Sequence, residues 1–201
     1  ELISGIHAMS DTPVAVLTNG SLLWQKDVRS QLLKADLIIP SLDEGDSMLF
    51  NAVNRPHKSI SFDMMLSGLL ALRDEFHGQY WLEVLLTGGY TGIDAEVEKI
   101  AELAAKIRPD RVQLNTVTRP PAESFAAGVP RKRMEEFAKL FIPHAEVIAD
   151  FHGIHSLPEF SANRESVVQL LQRRPCSIND IASGLGMHRN EALKYVDELT
   201  T

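Results

Sequence analysis

Three polar side chains stand where buried strands should carry apolar ones. Glu83 lies in the middle of Trp81-Leu-Glu-Val-Leu-Leu-Thr87. A carboxylate inside so apolar a segment needs a partner or a cavity, because burying it unpaired is expensive. Arg111 and Arg119 are the cations that would turn it into a structural ion pair. Gln113 and Asn115, in Arg111-Val-Gln-Leu-Asn-Thr116, are two residues apart and share one face of a strand. Two amides beside a carboxylate make a polar interior, which a barrel layer of Val, Ile and Leu would avoid, and they can hold a ligand by hydrogen bonds. Two further apolar runs also end in polar groups. Leu17-Thr-Asn-Gly20 delivers a hydroxyl from Thr18, an amide from Asn19 and a flexible glycine; the same residues also suit an ordinary turn. In Ile39-Pro-Ser-Leu-Asp-Glu44, Ser41 and Asp43 stand one pleat apart, a hydroxyl and a carboxylate suited to a carboxylate, ribose or ammonium group. Asp43 could instead cap the following helix, a role for which Asp46 competes.

The elements that must position these groups alternate. Strands are expected at Pro13–Thr18, Leu37–Pro40, Trp81–Thr87, Arg111–Thr116 and Ala145–Ala149, the first as a strand buried on both faces. Helical spacing is expected over Gln25–Ala35, Ser47–Val53, Phe62–Phe76, Asp94–Ile107, with Asp94 as its cap, and Arg131–Phe141. Such alternation gives parallel strands with right-handed crossovers, either doubly wound or curled into a barrel. In both arrangements ligands sit beyond the carboxyl ends of the strands. Residues 151–163 read as a linker after a first domain of residues 1–150. Residues 164–201 carry three short helical segments whose apolar pattern is that of a helix-turn-helix or winged helix.

Composition narrows the options. A chain of 201 residues, 44% hydrophobic, can bury a real core. Its formal charge of −7 gives no general attraction to phosphate backbones or anionic membranes. No apolar run is long enough to cross a bilayer and no leader precedes the first strand, so the expectation is a cytoplasmic protein. The single cysteine, Cys176, cannot make a disulfide or a multi-thiolate metal site within this chain. His152 and His155 fall in the linker, where a solvated loop is expected, so no metal ligands are assigned. Residues 161–201 contain five Lys or Arg and five Asp or Glu, a net charge of zero that argues against DNA and for protein contact or substrate presentation.

Taken in order, Pro13-Val-Ala-Val-Leu-Thr-Asn-Gly-Ser-Leu-Leu23, Asp36-Leu-Ile-Ile-Pro-Ser-Leu-Asp43, Asn54-Arg-Pro56, Leu82-Glu-Val84 and Gln113-Leu-Asn-Thr116 with Arg119-Pro-Pro121 resemble a radical S-adenosylmethionine (SAM) enzyme. The similarity is greatest to the Fe–S oxidoreductase group related to wyosine-type tRNA-modifying synthases, and it covers roughly residues 10 to 150. It implies a partial (β/α) barrel whose third to sixth strands are represented here. It also implies a 4Fe-4S cluster that supplies the electron for reductive cleavage of SAM, giving a radical that abstracts hydrogen from a substrate; superfamily substrates include tRNA, peptides and small molecules. By the resemblance, Thr18 and Asn19 face the methionine side of SAM, Ser41 and Asp43 contact its carboxylate or ribose, Asn115 lies near the adenine and Glu83 lines the substrate side. The family's CxxxCxxC cluster loop and the glycine-rich motif for the methionine amine are absent from this sequence. This chain alone is therefore expected to be inactive. The expectation is a cluster-binding segment upstream of Glu1; the alternative is a barrel relic that binds partners through its C-terminal helices.

Overall fold

The computed structural model describes residues 2–118, 126–151, 163–173 and 175–200. Five strands, β1 (Ala15–Thr18), β2 (Leu37–Pro40), β3 (Gln79–Leu86), β4 (Arg111–Thr116) and β5 (Glu146–Val147), form one sheet in sequential order, each parallel to the next. Right-handed crossovers between sequential neighbours deliver every helix to the same side of a sheet. That single winding belongs to a barrel wall and excludes the doubly wound alternative.

The helices on that side are α2 (Lys26–Leu32), α3 (Ser47–Val53), α4 (Phe62–Glu75), α5 (Asp94–Ile107) and α6 (Arg131–Phe137), the last running on into a short 3₁₀ turn, Ala138–Leu140. An additional helix, α1 (Leu2–Met9), precedes β1 and was not foreseen from the sequence. Hydrogen bonds from His7 to Asp36 (2.8 Å) and from Lys34 to Ser4 (3.0 Å) tie it down. Ile38, Leu82, Val84, Leu86, Val112 and Leu114 alternate along the strands, are fully buried, and pack with Leu69, Leu72, Val97, Ile100, Ala104, Phe137 and Phe141. Each such side chain is worth about 1.5–3 kcal/mol of transfer free energy. The intervening residues face the other way and form an open concave face.

Three local expectations need correction. β1 is not buried on both faces: among the described strands it pairs with β2 alone, and Leu17 is 68% exposed. Asp94 does not cap α5. Ile93 holds the cap position in extended backbone without a side-chain bond, while both Asp94 oxygens accept from Arg133 Nη2 at 2.8 Å. The strand after α6 is two residues long, Glu146–Val147, and pairs with β4.

The C-terminal part consists of α7 (Arg164–Arg173), α8 (Ile178–Gly184) and α9 (Arg189–Thr200). Val167, Leu170, Ile181, Leu185 and Ala192 form a second, smaller core, which Ile93 joins. Ser177 and Asp180 cap α8 reciprocally, Ser177 N–H donating to Asp180 Oδ2 (2.8 Å) and Asp180 N–H to Ser177 Oγ (3.1 Å). Arg119-Pro120-Pro121, His152, His155 and nearly all of the linker lie outside the described residues.

Candidate functional site

Strand register sets the site. Ser41 bridges to Glu83, Glu83 pairs with Gln113, and Gln113 pairs with Glu146. Paired residues of parallel strands share a face, so these four form one polar row across the concave face. One pleat further toward the carboxyl ends, Leu85 pairs with Asn115, and Asp43 reaches the same level because its Oδ1 accepts the Leu85 N–H at 2.8 Å.

Within this constellation the amides and carboxylates fix one another. Asn115 Nδ2 donates to Glu83 Oε1 at 3.2 Å, and Asn115 Oδ1 accepts the Thr116 N–H at 2.9 Å, which orients the amide. Glu83 is thus held by Asn115 and not by Arg111. Arg111 lies over the Trp81 ring, 4.8 Å from its centroid, and pairs with Glu146 at 3.5 Å. Arg119 lies outside the described residues. Asp43 does not cap α3: Asp46 does, its Oδ1 accepting from Met48 and Leu49 N–H at 3.0 Å each. Freed from capping, Asp43 turns to the sheet. Burial pushes its carboxyl up to about 6, opposed by the Leu85 N–H and assisted by the negative charge of Glu83.

Thr18 and Asn19 adjoin this group through the ladder, Ser41 N–H donating to Thr18 O at 3.0 Å. Their side chains serve the turn: Thr18 Oγ1 accepts from Gly20 N–H at 3.2 Å and Asn19 Oδ1 from Ser21 N–H at 3.1 Å. The structure therefore brings Ser41, Asp43, Glu83 and Asn115 into one cluster, with Thr18 and Asn19 at its β1 margin.

Two features escaped the sequence reading. Glu44 is fully buried; its Oε2 accepts from Asn54 Nδ2 at 3.2 Å, and its Oε1 is a buried oxygen without a hydrogen-bond partner. Burial, then the charges of Asp43 and Asp46, push its carboxyl up to about 9, so it is protonated at neutral pH. The signal in the sequence was three acids within four residues, more than one helix cap can use. Thr116 is the second: it donates to Leu86 O at 2.7 Å and accepts the Val129 N–H at 2.8 Å, drawing the segment after β4 over the end of β3, where Gly88 N–H donates to Ala127 O at 2.8 Å.

No family model matches this chain. It is 37% identical over 202 residues to "GTPase Obg" of Brachyspira hyodysenteriae, covering 99% of this chain and 29% of that protein. It is 32% identical over 153 residues to the UPF0026 protein MJ1312 of Methanocaldococcus jannaschii, covering 76% and 46%, and 30% identical over 191 residues to a UPF0026 protein of Helicobacter pylori strain J99, covering 90% and 58%. The chain thus spans less than two thirds of each of these relatives. Among solved structures, a domain of pyruvate-formate lyase-activating enzyme from Bacteroides vulgatus superposes with a TM-score of 0.58 at 13% identity, over 74% of this chain and 87% of that one. A radical SAM methyltransferase from Sphaerobacter thermophilus superposes with a TM-score of 0.55 at 19% identity, over 71% and 41%. The fold is therefore the α/β partial barrel found in radical SAM enzymes. Among the described residues no helix is long and apolar enough to cross a membrane.

Proposed function

We propose that this chain is the SAM- and substrate-facing part of a radical SAM enzyme. The observation that carries the reading is the polar row on the concave face, Ser41, Glu83 and Gln113, with Asp43 and Asn115 one pleat above it. Its upper level, Asp43 and Asn115, stands near the carboxyl ends of a sheet whose fold is that of radical SAM domains, and the resemblance of the motifs in order points the same way. In this reading Ser41, Asp43 and Asn115 bind SAM, with Thr18 and Asn19 beside its methionine part. Glu83 faces the substrate, with Asn115 holding its carboxylate in place. Asp43 suits an ammonium or ribose hydroxyl, since both donate to a carboxylate.

The donor set does not fit a 4Fe-4S cluster. Such clusters are held by thiolates, and Cys176, the one cysteine in the sequence, belongs to the C-terminal helical core. Cluster ligands must come from outside this sequence. The name of the Brachyspira protein does not transfer to the site, because the sequence contains no G-x-x-x-x-G-K-[ST] phosphate loop.

The test is SAM binding by the full-length protein, purified without oxygen and assayed for iron. The expected result is iron in the preparation and saturable SAM binding, with Asp43→Asn and Asn115→Leu each weakening it about tenfold or more, roughly 1.4 kcal/mol. Absence of both iron and SAM binding would overturn the reading. It would favour the inactive barrel relic.

A further inference from the structure

The turn after β3 is gripped from two sides, and one grip belongs to the C-terminal helices. On the sheet side, Thr91 Oγ1 accepts the Thr87 N–H at 3.0 Å and donates to Leu85 O at 3.4 Å. Tyr90 and Gly92 N–H both return to Thr87 O, at 3.1 and 2.9 Å. The same Leu85 gives its N–H to Asp43. On the opposite side, Ile93 is fully buried and belongs to the core of α7–α9. A Cβ at Gly184, the last residue of α8, would run into Ile93 Cγ2. Gly89, with φ of 73°, leaves room for Leu185, whose Cδ2 would lie 3.0 Å from a Cβ at that position. A fit this close is sensitive to a single added methyl group.

We propose that the three-helix unit braces the site: by docking on Gly89 and Ile93 it holds the turn after β3 in the conformation that presents the Leu85 N–H to Asp43. Ile93 and Gly184 are then positioning residues for Asp43, acting through Thr91 and Leu85. The proposal rests on the SAM reading only for what Asp43 binds; the brace is separable from it. Undocking α8 frees the turn and admits water around Asp43. The titratable groups about Asp43 are Glu83 on β3 and the neutral Glu44 on its own loop, while Lys99 of α5 is engaged by Asp46 and Glu96. Loss of the Leu85 N–H by itself raises the Asp43 midpoint, but burial is the larger influence, so hydration prevails and the midpoint falls toward the ordinary carboxylate range.

The experiment uses the full-length protein carrying Gly184→Val, with Ile93→Ala as a second variant that removes the contact by truncation instead of collision. Asp43 titration is followed by NMR of ¹³C-labelled aspartate and SAM affinity by calorimetry, while amide exchange of residues 178–200 reports undocking. The expected result is a midpoint lowered by about one pH unit and SAM affinity reduced about tenfold, with the cooperative melt of the barrel retained. A barrel merely destabilised elsewhere would not move the Asp43 midpoint. If the helices undock and Asp43 titrates as in the wild type, the brace is overturned. If the wild type binds no SAM while the variants shift Asp43, the brace stands and the SAM reading falls.

Discussion

Replacing Glu44 by glutamine should stabilise the protein at alkaline pH and leave it nearly unchanged in acid. Glu44 is fully buried, and burial together with Asp43 and Asp46 moves its carboxyl from 4.5 to about 9. Between those values the folded chain holds a proton that the unfolded chain releases. Stability from this group is therefore complete below pH 4.5 and is lost as pH rises through about 9. Each pH unit in that window is worth about 1.4 kcal/mol, so on the order of 4–5 kcal/mol is lost between pH 4.5 and pH 8. Glutamine has nearly the same shape, keeps an oxygen for the Asn54 amide, and does not titrate. At pH 5 the two proteins should agree within about 1 kcal/mol. At pH 8 the variant should be the more stable by about 3–5 kcal/mol, or roughly 6–20 °C in Tm for a chain of this size. Melts at pH 5, 6.5 and 8 decide it, because the titration of Asp43 is common to both proteins and cancels. Parallel stability curves from pH 5 to 8 would refute the placement of a neutral carboxylic acid at this position.

Two further substitutions probe the supports of the rim. Thr116→Val leaves the buried Val129 N–H and Leu86 O without their partner and should cost about 2–4 kcal/mol, read as a lower urea midpoint with faster amide exchange at Val129. Arg29→Met removes bonds to Leu23 O (2.9 Å) and Trp24 O (3.1 Å) and the two-pronged contact with Glu75. Because the Glu75 side chain is 35% exposed, most of the expected loss of about 2–3 kcal/mol comes from the carbonyls. Arg29 holds the Glu75 carboxyl below its ordinary 4.5, so the deficit should narrow in melts as pH falls below that value; a deficit that widens in acid would contradict the pairing.

The barrel wall was legible because each of its strands is a short apolar run and each crossover a helical repeat, and those periods depend on local sequence alone. What escaped depends on neighbours. The exposure of Leu17 goes with β1 having β2 as its one neighbour among the described strands, and no local pattern tells how many neighbours a strand has. α1 is held by His7 and Lys34 contacts to Asp36 and Ser4, again long-range. Within the site, the alternation rule placed Gln113 and Asn115 on one face correctly, but the partner of Glu83 depended on register. Asn115 pairs diagonally with Glu83, while Arg111, four residues earlier, is drawn to Trp81 and Glu146.

The run from Asp43 to Asp46 shows why composition alone does not locate such chemistry. Three acids in four residues would ordinarily be taken for a solvated charge cluster, yet the chain leaving β2 turns each in a different direction. Asp46 faces outward, caps α3 and meets Lys99 at 2.7 Å, which holds its carboxyl below the usual range. Glu44 points inward to Asn54 and is neutral. Asp43 points across the carboxyl ends of the strands to Leu85 and titrates at about 6. Neighbouring carboxyls pushed to opposite extremes leave the middle one as the acid whose charge changes near neutral pH. That acid lies on the open face beside Glu83 and Asn115, where a ligand can respond to it. If Glu44 were ionised as well, two adjacent negative charges would repel at the rim, and the ionisation of Asp43 would be suppressed further. A neutral Glu44 therefore does more than fill space: it leaves Asp43 to ionise beside Glu83 alone, without a further negative charge on its own loop.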